Sequence, residues 1–121
     1  MKTSFPDKEY LEFLAAGKFM IQRSVTSGRH VFYPRLAEPV TGSELEWVEA
    51  SGRGMVYSVT TLRPKPPQAM YNLALIDLEE GPRLMSRVDG MPADQVRIGM
   101  AVQARIIQEN DKPLLVFEPA A

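Results

Sequence analysis

The sequence predicts a mainly β protein: a five-stranded OB-fold barrel, preceded by an N-terminal helix and a degenerate, metal-free, zinc-ribbon-like hairpin. Three observations carry this reading. From Met55 onward the chain reads as three strands, a short helical turn and two further strands, which is the connectivity of an OB-fold. Ahead of that part, two turn-like knots, SVTSG and EPVTG, are spaced as in a zinc ribbon, yet the 121-residue chain contains no cysteine. Only the segment near the start has helical periodicity.

Taken in order, SFPDKEYLEFLAAG reads as a short amphipathic helix. Ser4 caps it with Asp7 three residues on, and Pro6 is tolerated in the first turn. Tyr10, Phe13 and Leu14 share one face, and Gly17 stops it. Such a helix either packs on its own domain or serves as an arm that docks on a partner. KFMIQRS is a strand with Phe19 and Ile21 on one side, Met20 and Gln22 on the other. The two knots follow, and LEWVEASGRG alternates into a turn at Gly52-Arg53-Gly54. MVYSVTTLR is the first barrel strand. PKPPQAM is a loop, because its three prolines forbid helix and strand alike. YNLALIDLEE (71–80) is the second strand, Gly81-Pro82 a turn, and RLMSRVDG the third strand. PADQV makes a helical turn. IGMAVQARIIQ is the fourth strand, ENDK a hairpin turn and PLLVFEP the fifth strand. The division expected is a helix over 1–18, a ribbon over 19–50 and an OB-fold domain over 51–121.

The bulk numbers narrow the function. Hydrophobic residues make up 45% of the chain, enough for a core, and the formal net charge is -1 from 14 basic and 15 acidic residues. A protein that holds a nucleic-acid backbone usually has a clear excess of Lys and Arg, so the charge balance argues against that class. No disulfide or thiolate metal site can form without cysteine. The start is a poor signal peptide, and no run approaches the ~20 apolar residues that span a bilayer. The expected setting is soluble and cytoplasmic.

The pieces IQRS (21–24), FYPR (32–35), LEWVEASGRGMVYSVT (45–60), LALIDLEEGPRLMSRV (73–88) and RIGMAV (97–102), in this order and at these spacings, carry a resemblance over nearly the whole chain. It resembles the zinc-ribbon and OB-fold family called domain of unknown function 35, whose members are associated with acyl-CoA metabolism. Family members with an intact ribbon hold zinc through two C-x-x-C knuckles. Matched motif to motif, the four cysteine positions fall on Ser24, Ser27, Glu38 and Thr41, with Gly28 and Gly42 retained. The resemblance therefore implies a ribbon whose backbone path persists without its thiolates, and no structural zinc is expected. Such an ion supplies on the order of 10 kcal/mol to a small module. Packing by Phe19, Ile21, Val31, Tyr33, Leu36, Leu45 and Trp47 must replace it, or a partner must cover the ribbon.

Few residues invite chemistry. His30, the lone histidine, reads as a surface residue. Glu79-Glu80 before Gly81-Pro82 reads as a solvated hairpin tip, and Gly52-Arg53-Gly54 lacks the helix that would make it a phosphate loop. Arg63 and Lys65 stand out, because they lie in the first long barrel loop beside Tyr71. OB-folds bind ligands with the strand 2–3 face and its flanking loops. A basic pair near an aromatic ring suits a nucleotide phosphate and its base. Arg53 and Tyr57 are candidates for the same surface. The resemblance implies a non-catalytic accessory subunit that pairs with a thiolase-like enzyme or a hotdog-fold hydratase, with the coenzyme A nucleotide against the barrel. The alternatives are a single-stranded nucleic-acid-binding OB-fold and a free-standing enzyme.

Overall fold

The structure, a computed structural model, describes residues 6–32 and 44–120. Helix α1 (Pro6–Ala15) ends as predicted at Gly17. There the N–H of Gly17 donates to the Leu14 carbonyl and that of Lys18 to the Phe13 carbonyl, both at 2.9 Å. These are the paired bonds of a Schellman stop, and Gly17 supplies the left-handed conformation they need, with φ +81°. The expected Ser4 cap lies outside the described residues.

Of the two roles open to α1, the structure shows the first: it packs on its own chain. Leu14 is 3% exposed and belongs to one continuous core with barrel residues such as Leu115 and Phe117. Phe13 meets Trp47 edge-on with centroids 5.3 Å apart, and Tyr10 meets Phe32 in the same way at 5.7 Å. The Trp47 indole N–H donates to a Glu9 carboxylate oxygen at 2.7 Å. Burial pushes the Tyr10 phenol pKa well above its ordinary value.

Strands β1 (Met20–Ser24), β2 (His30–Val31) and β3 (Leu45–Glu49) form the ribbon-like sheet. Their order is β2-β1-β3, with every pair antiparallel. Phe19 and Ile21 are buried as the alternation requires, and Gln22 is buried as well, at 4%. So β1, the central strand, is covered on both faces and not on one. Val31, Leu45 and Trp47 are half-buried. Tyr33 and Leu36, the other expected packing residues, lie outside the described residues.

The second sheet is the barrel. Its strands are β4 (Arg53–Leu62), β5 (Tyr71–Leu78), β6 (Arg83–Ser86), β7 (Ala101–Glu109) and β8 (Lys112–Pro119). They run β6-β5-β4-β7-β8, and a 3-10 turn at Ala93–Gln95 sits between β6 and β7. The two edges meet in parallel at Val88 and Phe117. There the Phe117 N–H donates to the Arg87 carbonyl at 3.0 Å and the Asp89 N–H to the Phe117 carbonyl at 2.7 Å. That seam completes an OB-fold barrel. Asn110 and Asp111 turn β7 into β8 with φ of 54° and 62°, the left-handed pair a two-residue hairpin demands.

Four boundaries differ from the expectation, each for a physical reason. Arg53 and Gly54 are not a turn but the first residues of β4; only Gly52 turns, at φ +79°. Gly54 lies on the central strand, opposite both Leu78 and Val102. A Cβ there would come within 2.7 Å of Ile76 Cγ2 and 3.0 Å of the Asp77 carbonyl oxygen, so glycine serves close strand approach. The third strand ends at Ser86, because the chain then leaves β5 to make the seam. The fourth begins at Ala101, since Gly99 and Met100 lie in the lead-in to β7, bonded singly to Val56. The second likewise ends at Leu78, with Glu79 and Glu80 in the turn.

Candidate interaction face

The inward residues of the first three barrel strands are Val56, Asn72, Ala74, Ile76, Leu78 and Leu84, all buried. The register then assigns the outward face row by row. Leu62 lies opposite Tyr71, Thr60 opposite Leu73, Leu75 between Ser58 and Met85, and Asp77 between Met55 and Arg83. A bulge between Val56 and Ser58 inserts Tyr57 and turns its ring outward, as bulges do.

This outward face is apolar where a solvated barrel face should be polar. Met55, Tyr57, Tyr71, Leu73 and Met85 are 53%, 48%, 46%, 41% and 57% exposed. Its charges sit at its two ends, and at the Asp77 end they are paired: Arg83 donates to Asp77 at 2.6 Å and lies over the Tyr57 ring, 3.4 Å from its centroid. The Asp77 carboxylate raises the Arg83 pKa further above its ordinary value.

The five residues singled out in the sequence do not form one cluster. Tyr57 and Tyr71 share the outward face. Arg63 and Lys65 lie in the loop that joins Leu62 to Tyr71, at the far end of that face. Arg63 reaches Asp94 of the 3-10 turn at 3.8 Å while staying 65% exposed, and Lys65 is exposed. Arg53 is at the opposite end of β4, roughly 30 Å of strand from Arg63 at the usual rise per residue. Both Glu79 oxygens accept from its guanidinium, one of them at 3.1 Å. That hydrogen bond, ahead of the charge attraction, holds the Glu79 carboxyl below its usual range. Arg63, Lys65 and Tyr71 therefore lie toward one end of β4 and β5, with Arg63 paired to Asp94, and Arg53 lies at the other end.

Leu73, Met85 and Arg83 were not singled out from the sequence, though β5 carries a signal for the first. In YNLALIDL both phases are apolar: Asn72, Ala74, Ile76 and Leu78 point in, Tyr71, Leu73 and Leu75 point out. An antiparallel strand with one wet face alternates, so two apolar phases mean that both faces are meant to be covered.

The first knuckle of the ribbon keeps its shape. Gly28, at φ +77°, donates its N–H to the Ser24 carbonyl at 2.9 Å. The Ser24 hydroxyl oxygen accepts the Ser27 N–H at 3.1 Å, and the Ser27 hydroxyl oxygen accepts the Arg29 N–H at 3.2 Å. These are neutral hydroxyls capping a turn, where zinc takes thiolate, imidazole or carboxylate, so this half of the ribbon does not fit the ion. Glu38 and Thr41, the other two positions, lie outside the described residues.

The fold and this face define an OB-fold protein with a ribbon-like appendage and an uncovered apolar sheet surface. Residues 47–106 match the family described as "ChsH2, C-terminal OB-fold domain". A DUF35 domain-containing scaffold protein of Pyrococcus furiosus is 33% identical over 97 residues, which cover 73% of this chain and 71% of that one. A protein of the same description from Methanocaldococcus jannaschii is 33% identical over 82 residues, 62% of this chain and 58% of the relative. The 3-oxo-4,17-pregnadiene-20-carboxyl-CoA hydratase alpha subunit of Mycobacterium tuberculosis is 38% identical over 78 residues, 62% of this chain but 25% of its own length. Among solved structures, a chain of the Ltp2-ChsH2(DUF35) aldolase superposes with a TM-score of 0.84 at 29% identity, covering 100% of this chain and 99% of that one. The chain belongs to the DUF35 family, domain of unknown function 35.

Proposed function

We propose that this protein is a non-catalytic accessory subunit. It binds an acyl-CoA-processing enzyme, either thiolase-like or a hotdog-fold hydratase, in the cytoplasm, and the chemistry belongs to that enzyme. The observation that carries this reading is the end-to-end similarity to a chain of the Ltp2-ChsH2(DUF35) aldolase, at a TM-score of 0.84. Two further facts support it: relatives named as scaffold proteins and a relative named as the alpha subunit of a CoA-ester hydratase. No helix among the described residues is long and apolar enough to cross a membrane.

Within this reading the Arg63, Lys65 and Tyr71 corner contacts the coenzyme A nucleotide, with the cations on phosphate and the ring beside the base. Tyr57 extends that surface, and Arg53, occupied by Glu79, contributes least. Zinc has no part in it. The test is retention of an enzyme by the tagged chain in the cell that makes it, with the enzyme identified by mass spectrometry. A thiolase-like or hydratase subunit is the expected result, and purified chain alone should leave acyl-CoA esters intact. Retention of nucleic acid in place of an enzyme, or turnover by the chain alone, would sink the reading.

A further inference from the structure

We infer that the outward face of β4, β5 and β6, centred on Leu73 and Met85, is where the enzyme subunit docks, and that the contact is apolar rather than ionic. This rests on the accessory-subunit reading and locates its interface. The first argument is area. Five outward side chains with exposures between 41% and 57% leave on the order of 500 Å² of apolar surface in water, near the top of what a monomer's largest patch exposes. A standard interface takes about 800 Å² from each partner, with an apolar centre and a polar rim. The face has that anatomy: Leu73, Leu75, Met85 and Tyr57 in the middle, the Asp77–Arg83 pair at one end, and Arg63 and Lys65 at the other.

Continuity supplies the second argument. Met85 also lines a groove of about 180 Å³ between α1 and the β6–β8 seam, walled by Tyr10, Leu11, Leu14, Phe32 and Leu115. Leu11 on its rim is 53% exposed. Sheet face and groove thus form one apolar tract that turns the corner at Met85. A flat ligand the size of a nucleotide cannot cover both, whereas a protein surface that lies on the sheet and seats one bulky aliphatic or aromatic side chain in the groove can. The ion pair at the Asp77 end bears on the mode of contact. Arg83 is already satisfied by Asp77 and Tyr57, so no unpaired ion in the middle of the face calls for a countercharge.

The experiment uses the full chain and the enzyme subunit it retains, once that subunit has been identified and purified. Affinity is measured by calorimetry for wild type, Leu73→Asp, Met85→Lys and Val25→Asp, with thermal melts of each. Val25 is 56% exposed but sits in the turn after β1, off this face. The expected result is a loss of tenfold or more for Leu73→Asp and for Met85→Lys, and none for Val25→Asp. All three variants should melt close to wild type, and affinity should change less than about twofold as sodium chloride rises tenfold. Full affinity in both face variants overturns the docking site but leaves the accessory role standing, as does a steep salt dependence for the apolar mode. Failure of wild type itself to retain an enzyme overturns the role and the site together. If a face variant melts early, Leu73→Ser and Met85→Gln repeat the measurement without a new charge.

Discussion

The Asn72 side chain holds both backbone polar groups of Val88. Its amide nitrogen donates to the Val88 carbonyl at 3.0 Å, and its oxygen accepts the Val88 N–H at 2.9 Å. Asn72 is 2% exposed and Val88 also 2%. The pair fixes the chain at the point where it leaves β5 to reach Phe117, so one buried amide sets the seam. Asn72→Ala should leave two buried backbone groups without their partner and cost about 2–3 kcal/mol, read from urea unfolding. Faster hydrogen exchange at Asp89 and Phe117 than elsewhere in the barrel would place the damage at the seam.

Among the described residues, the Trp47–Glu9 hydrogen bond ties helix α1 to the ribbon amid packed rings. Removing it with Glu9→Ala should destabilise the protein by about 1 kcal/mol. Trp47 is the only tryptophan, so its emission reports directly on whether the helix stays docked. Emission that shifts to the red well before the barrel unfolds would show the helix leaving first. Coincident transitions would confirm that helix and barrel share one core.

Gly54→Ala tests close approach on the central strand. The added methyl must displace Ile76 or part β4 from β5, which should cost about 1–3 kcal/mol. Gly81→Ala is a useful contrast: no atom lies within 4 Å of its added Cβ, although its φ of +118° strains any side chain there. A partial rescue of Gly54→Ala by Ile76→Leu, which removes the branch at Cβ that carries Cγ2, would show that the clash is with that methyl group.

Coenzyme A should bind through one corner only. The double change Arg63→Ala and Lys65→Ala should weaken coenzyme A binding severalfold without changing the melting temperature. Arg53→Ala should leave that affinity unchanged, because its guanidinium is already held by Glu79. Equal loss from both variants would place the nucleotide elsewhere on the barrel.

The Arg53–Glu79 contact also predicts a titration. Glu79 has a folded pKa below its unfolded one, so its contribution to stability is present above the ordinary glutamate range and is lost as pH falls through the lowered folded value. Carbon-detected NMR should find the Glu79 midpoint below the ordinary glutamate range, and Arg53→Ala should return it to that range.

Much of this architecture was legible in the residues themselves, because strand order is written in local signals. Prolines 64, 66 and 67 broke the chain after β4, Gly81 after β5, and Asn110-Asp111 made the last hairpin. What was not legible depends on where distant segments arrive. Gly54 looked like turn glycine, since nothing local says that a neighbouring strand needs the space of its Cβ. Asn72 gave no local sign of its role, because its partner lies sixteen residues on. The candidate site divided in the same way. Arg63, Lys65 and Tyr71 could be grouped from their shared loop, but Arg53 fell to Glu79 through a pairing of β4 with β5 that sequence spacing does not reveal. The apolar outward phase of β5 was visible in YNLALIDL and went unread, because apolar residues on a strand are by habit assigned to the core.

Strand β8 lies beside β7, touches β6 through the seam and runs beneath α1, with Val116 and Phe117 fully buried. Strand β8 is thus the segment on which β7, the seam and α1 all close. Until β8 has left the ribosome, the helix and the four earlier barrel strands stand with their oily sides open to whatever is near. The barrel core therefore cannot close before β8 has emerged. A nascent chain stalled before residue 112 should be a chaperone client, and emergence of β8 should end that dependence in a single step.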